Sequence, residues 1–127
     1  MKAYGYVAIG GFVGASMRYV ISEYWVTWIP IPTLWINVIG SFLLALLYST
    51  VTTNLRWHQE IKWLLGTGLL GAFTTFSTFS VDMLRYLEQD QYSSAILYML
   101  GSVIGGGIAA ILALIVVDMF NRKKVNS

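Results

Sequence analysis

Gly71-Ala72-Phe73-Thr74-Thr75-Phe76-Ser77-Thr78-Phe79-Ser80 places hydroxyl side chains at residues 74, 75, 77, 78 and 80, inside a segment otherwise apolar enough to enter a bilayer. Hydrocarbon contains no water to satisfy hydroxyls. Such a density therefore implies a wet path, a partner helix or a bound ion at membrane depth, the setting of a channel. Gly66, Gly68 and Gly71 precede the run. Glycine followed by Ser and Thr weakens helix continuity and can release main-chain carbonyls toward an ion, so a break is expected between Gly71 and Thr75. The competing reading is an unbroken helix whose hydroxyls bond back to the preceding turn.

The rest of the chain fits a membrane setting. Of 127 residues, 57% are hydrophobic and 11% charged, against roughly 25% charged in a soluble domain. Apolar runs at Tyr4 to Val20, Leu34 to Val51, Trp63 to Val81 and Ala95 to Val117 approach the roughly 20 residues that cross a hydrocarbon core. They predict an all-α membrane protein of one four-helix domain over residues 1–127, with helices over 4–28, 33–53, 62–86 and 93–120. Gly10, Gly11 and Arg18 interrupt the first run and three more follow, so it reads as a retained span rather than a cleaved signal peptide.

Pro30-Ile31-Pro32 separates the first two helices, Thr52 to Glu60 forms a hydrophilic turn, and Glu88-Gln89-Asp90-Gln91 forms another. With four spans both termini share one side. Lys2, Arg56, Lys62, Arg122, Lys123 and Lys124 lie there, while Arg18 and Arg85 lie opposite. By the positive-inside rule this bias favours cytoplasmic termini. Trp25, Trp28, Trp35, Trp57 and Trp63 sit near the span ends as interfacial anchors. The basic tail Arg122-Lys123-Lys124 reads as a contact for anionic lipid, with no nucleic-acid partner implied. Gly10/Gly14 and Gly101/Gly105 have the four-residue spacing of close helix packing.

Polar candidates inside the spans are few. Phe76 and Phe79 share a helix face, and a phenyl edge carries the positive end of the ring quadrupole, which can meet a small anion; ordinary packing is the alternative. Asn37 in the second span is either a clamp between helices or an ion contact. Tyr98 and Ser102, spaced i,i+4 in the fourth span, present two hydroxyls on one stripe, or an interfacial Tyr and a back-bonded Ser. Arg18 either reaches lipid phosphate or places positive charge at an aqueous vestibule.

Signs of catalysis are lacking. His58 is the single histidine, there is no Cys, and no metalloprotease, phosphate-loop or paired-carboxylate motif occurs. Asp82 and Asp118 stand near span ends, where a charge can reach the interface. The protein is expected not to be an enzyme. A small proton-coupled or multidrug exporter would share the size but would want a carboxylate deep in the first span, where none exists. A structural assembly subunit would use the glycines and hydroxyls for packing alone.

The chain resembles the Fluc (CrcB) fluoride channels along nearly its whole length. The resemblance rests on Gly10-Gly11-Phe12-Val13-Gly14-Ala15-Ser16-Met17-Arg18-Tyr19, on Trp35-Ile36-Asn37-Val38-Ile39-Gly40-Ser41-Phe42 and, most specifically, on residues 71–80. It implies a fluoride-selective channel of the cell membrane of a bacterium, passive and fluoride-exporting. The subunits would form an antiparallel, dual-topology homodimer, or a heterodimer with a paralogue, holding two pores. Phe76 and Phe79 would form the phenylalanine box, and Asn37, Ser77, Thr78, Tyr98 and Ser102 would line the fluoride pathway. Arg18 would belong to the vestibule. The Gly71 and Thr74 carbonyls would hold a structural sodium ion between subunits. Two departures stand out: Gly106, where the polar track often carries another hydroxyl, and Asp82, where some members have glutamate.

Overall fold

A computed structural model describes residues 2–24, 31–53 and 59–125, and every element among them is helical. Helix α1 covers Lys2–Tyr24 and α2 covers Ile31–Thr53. Short α3 (Gln59–Ile61) runs into a π-helical stretch, Lys62–Leu70, and then α4 (Gly71–Phe73). After the interruption at Thr74 and Thr75 come α5 (Phe76–Glu88) and α6 (Tyr92–Val125). The described residues thus make four rods, the third in two pieces. Trp25, Trp28, Pro30, Asn54, Arg56, Trp57 and His58 lie outside the described residues.

Helix α2 starts at Ile31, ahead of the position Thr33 at which the Pro-Ile-Pro sequence suggests a beginning. Pro32 fits the first turn because a residue there has no intrahelical partner for its N–H in any case. At the same end of the bundle, where Leu34 packs against Tyr86 and Tyr98, α5 closes with the Gln91 N–H on the Tyr86 carbonyl at 2.9 Å and the Asp90 N–H on the Leu87 carbonyl at 3.2 Å. Asp90 takes the left-handed conformation, φ 55°, that this double closure requires. Asp tolerates that conformation better than most residues, and its carboxylate accepts from the Tyr92 hydroxyl at 3.1 Å. So Glu88 to Gln91 turns the chain directly from α5 into α6.

Among the described residues, three helical stretches are long and apolar enough to cross a membrane: Ile31–Val51, Gln59–Glu88 and Tyr92–Arg122. Helix α1 has comparable length, 23 residues, but Arg18 and the glycines at 5, 10, 11 and 14 dilute its hydropathy. Large apolar side chains such as Phe12, Leu97, Val103 and Phe120 point outward. In water such a surface would be a liability; in lipid it is the solvent-facing side.

Two seams hold the rods together, α1 along the π-helical stretch and α2 along α6. Glycine makes both possible. A Cβ on Gly10 would fall on the Leu64 carbonyl oxygen, and one on Gly14 on the Leu69 carbonyl oxygen. The backbones of α1 and the third rod therefore touch directly, which is how small residues drive helix association where lipid removes the hydrophobic drive. On the other seam, Gly101 and Gly105 leave room for Leu34 and Val38 of α2. The π register itself carries the Gly71 N–H onto the Gly66 carbonyl, five residues back, as well as onto that of Gly68.

Substituting Gly14→Ala should lower thermal stability in detergent by about 1–3 kcal/mol, the usual cost of overpacking. Gly5→Ala, with no described atom within 4 Å of the added methyl, should leave the melting temperature unchanged. Equal melting of both variants would contradict the backbone-contact seam.

Candidate functional site

The third rod breaks where a side chain from α2 outcompetes the helix for its own hydrogen bonds. Thr74 has φ −71° and ψ 147°, and Thr75 has φ −145° and ψ 121°, both extended. The Thr75 N–H donates to Asn37 Oδ1 at 2.9 Å, and Asn37 Nδ2 donates to the Thr75 carbonyl at 3.1 Å. One amide thus pairs with both polar groups of one extended residue, as a neighbouring strand would. Downstream, Thr75 Oγ1 accepts the Thr78 N–H at 3.1 Å and caps α5.

These bonds have a consequence for the carbonyls. In an unbroken helix the Thr75 N–H would serve the Gly71 carbonyl and the Thr78 N–H that of Thr74. Both donors are engaged elsewhere, so Gly71 and Thr74 lose their helical donors. Among the described residues no cluster of three His, Cys, Asp or Glu stands ready for a metal. Backbone oxygens of this kind suit a hard cation such as sodium, and Gly71 is exposed.

The hydroxyls divide into two groups. Thr74 Oγ1 bonds back to the Leu70 carbonyl at 2.9 Å and Ser80 Oγ to that of Phe76 at 2.9 Å, as the unbroken-helix reading expects. Thr75, Ser77 and Thr78 instead meet one another, with Thr75 Oγ1 lying 3.1 Å from each of the other two hydroxyl oxygens. Arg18 joins this second group: its Nε donates to the Ala72 carbonyl at 3.2 Å and its Nη1 to Thr78 Oγ1 at 3.3 Å. The guanidinium, half-buried, therefore sits against the break. Gly40, one turn below Asn37's end of α2, makes room for the break as well, since a Cβ there would overlap the Thr74 methyl.

A groove of about 320 Å³ runs beside the break, bounded by Asn37, Thr75, Phe76, Phe79 and Ser102 among others. Phe76 and Phe79 flank it with ring centroids 5.8 Å apart and planes tilted by 34°. Phe76 is 81% exposed. Ser102 Oγ is buried without a hydrogen-bond partner, and so does not bond back as an isolated membrane serine would. A buried hydroxyl left unpaired costs stability unless something else completes it.

Tyr98 stacks on Phe79, centroids 5.3 Å apart, and its hydroxyl donates to Asp82 Oδ2 at 3.2 Å. Asp82 does not reach out to the interface as its place near a span end suggests. It is buried, 6% exposed, against Tyr98, with Arg85 Nη1 3.5 Å from its other oxygen. The i,i+3 spacing of Asp82 and Arg85 was the available signal, although it does not reveal Tyr98. The structure thus brings Asn37, Phe76, Phe79 and Ser102 to one groove, Ser77, Thr78 and Arg18 to the break above it, and Tyr98 behind Phe79. Thr75, named from the sequence as the end of the break but not as a site residue, and Ala72, not named at all, hold this arrangement together.

Apolar rods, an interrupted third span and a polar groove at the interruption define a multi-pass helical membrane protein. The sequence over residues 5–114 matches the family described as CrcB-like protein, Camphor Resistance (CrcB), and the chain belongs to that family. It is 43% identical to the "Fluoride-specific ion channel FluC" of Magnetococcus marinus over 87% of this chain and 94% of that protein. It is 46% identical to the protein of the same name from Oceanobacillus iheyensis, over 83% and 84% respectively. "Fluoride-specific ion channel FluC 1" of Bacillus cereus is 39% identical over 92% of this chain and 88% of its own length.

Replacing Asn37 with Ala would strand the N–H and carbonyl of Thr75, each worth about 1–3 kcal/mol when left unsatisfied. Unfolding in detergent should show a loss of at least about 2 kcal/mol, by the same arithmetic. A wild-type unfolding midpoint would show that the pair does not hold the break.

Proposed function

We propose that this chain is a fluoride-selective channel, and not an enzyme, that lets fluoride leave the cytoplasm down its electrochemical gradient. The observation that carries the reading is the groove at the helix break, where an unpartnered Ser102 hydroxyl, the Asn37 amide and the Phe76 and Phe79 rings converge. That such a groove occurs in a family whose relatives bear a channel's name adds weight.

Fluoride is small and strongly hydrated, so it enters a pore only where donors replace its water stepwise. Ser77 and Thr78 at the break, then Asn37 and Ser102 in the groove, offer hydroxyl and amide protons, while the phenyl edges offer a weak positive surface. None binds like an arginine would, which lets the ion leave again; chloride, larger and less in need of these donors, is held back by width. Arg18 adds positive charge beside Ala72 and Thr78. Cytoplasmic fluoride is the conjugate base of a weak acid that enters neutral, so a passive exit suffices.

One subunit leaves this path open on a side. Phe76 and Gly71 are both exposed, as expected if a second copy covers them. We therefore assign two inverted subunits about an axis in the membrane plane, with two pores and α1 as the fourth span of each. The released carbonyls of Gly71 and Thr74, doubled by that axis, would hold one sodium ion as a structural cofactor. A homodimer accounts for the groove because this chain supplies its residues unaided.

Protein expressed alone and reconstituted into liposomes should release fluoride, read with a fluoride-selective electrode, and retain chloride. Silence, or equal release of both halides, would overturn the reading. Phe76→Ile should cut fluoride release about tenfold, the loss of one ring-edge contact, with dimeric elution unchanged; wild-type release would remove the rings from the pathway. Dialysis into sodium-free potassium buffer should abolish release and sodium should restore it. Undiminished flux without sodium would refute the cation site.

A further inference from the structure

We infer that Ser41, on α2, is a fluoride-binding hydroxyl of the groove and takes the place of the side chain missing at Gly106; the inference rests on the fluoride-channel reading above. On α6, Tyr98, Ser102 and Gly106 follow one another at four-residue steps and so form a single stripe. The first two carry hydroxyls and the third carries nothing. On α2, Asn37 and Ser41 are likewise four apart and share a face. Ser41 bounds the same groove as Asn37, Phe76, Phe79 and Ser102.

The two stripes meet at Gly106. A Cβ built on Gly106 would stand 3.3 Å from Ser41 Oγ, with Ser41 Cβ at 3.9 Å. The hydroxyl of Ser41 thus stands in tight contact with the place where a residue-106 side chain would begin. The neighbouring Ser102 Oγ is buried and unpaired. Two hydroxyls from different helices, one of them lacking any protein partner, can both donate to an anion between them, and neither adds a fixed charge that would trap it. Glycine at 106 leaves the Ser41 hydroxyl uncrowded beside the track.

Four variants in liposomes, each read by fluoride electrode against wild type, test the exchange. Ser41→Ala should slow fluoride release about tenfold, as expected for losing one hydrogen bond to an ion. Adding Gly106→Ser to Ser41→Ala should recover most of the rate, because the new hydroxyl enters the space the old one vacated. Adding Gly106→Ala instead fills the space without a hydroxyl and should recover none. Gly106→Ser alone crowds Ser41 and should not exceed wild type. If wild-type protein conducts and Ser41→Ala matches it, or Gly106→Ala rescues as well as Gly106→Ser, Ser41 is packing and the inference falls. Wild-type protein that passes no fluoride would instead bring down the channel reading on which the inference rests.

Discussion

The double hydrogen bond between the Asn37 amide and the backbone of Thr75 is the constraint on which the site depends. A membrane helix interrupted without compensation would leave bare peptide groups in hydrocarbon, at several kcal/mol each. Asn37 removes that cost at the residue that departs furthest from helix, and Thr75 Oγ1 meets the next orphan donor at the start of α5. The released polar capacity then appears on the other side of the ledger, as carbonyls at Gly71 and Thr74. Gly40 and Arg18 support the same geometry, one by leaving space for Thr74 and the other by holding Ala72 and Thr78.

Glycine distribution serves that constraint from a distance. The α1 seam brings two backbones into contact at Gly10 and Gly14, and so fixes the first half of the third rod against Arg18's helix. The α2 seam with α6 brings Asn37 and Ser41 opposite Ser102 and Gly106. A break positioned by one seam and a polar stripe positioned by the other meet in a single groove. Had either seam been built from leucines, the rods would stand further apart and the side chains would not converge.

Much of this was legible in the residues. Apolar length and the paucity of charge predict an all-helical membrane protein, and the glycines before a run of Ser and Thr predict the break, which falls at Thr74 and Thr75. Asn37 could be read as clamp or ion contact, and the structure shows the clamp while leaving the amide at the groove edge. Two features resist sequence reasoning because they depend on tertiary neighbours. The π register over Lys62–Leu70 follows from no periodicity, and Asp82 turns inward because Tyr98 waits there. The split among the hydroxyls, with Thr74 and Ser80 bonding back and Thr75, Ser77 and Thr78 clustering, likewise follows from which face meets α1 and α2.

The backbone of Thr74 and Thr75 carries the central claim, and carbon chemical shifts in lipid bilayers report it directly. Solid-state spectra of protein labelled at threonine should give strand-like Cα and Cβ shifts for both residues and helical shifts for Thr78. Helical shifts at all three positions would mean that the third span is continuous, with no released carbonyls and no site.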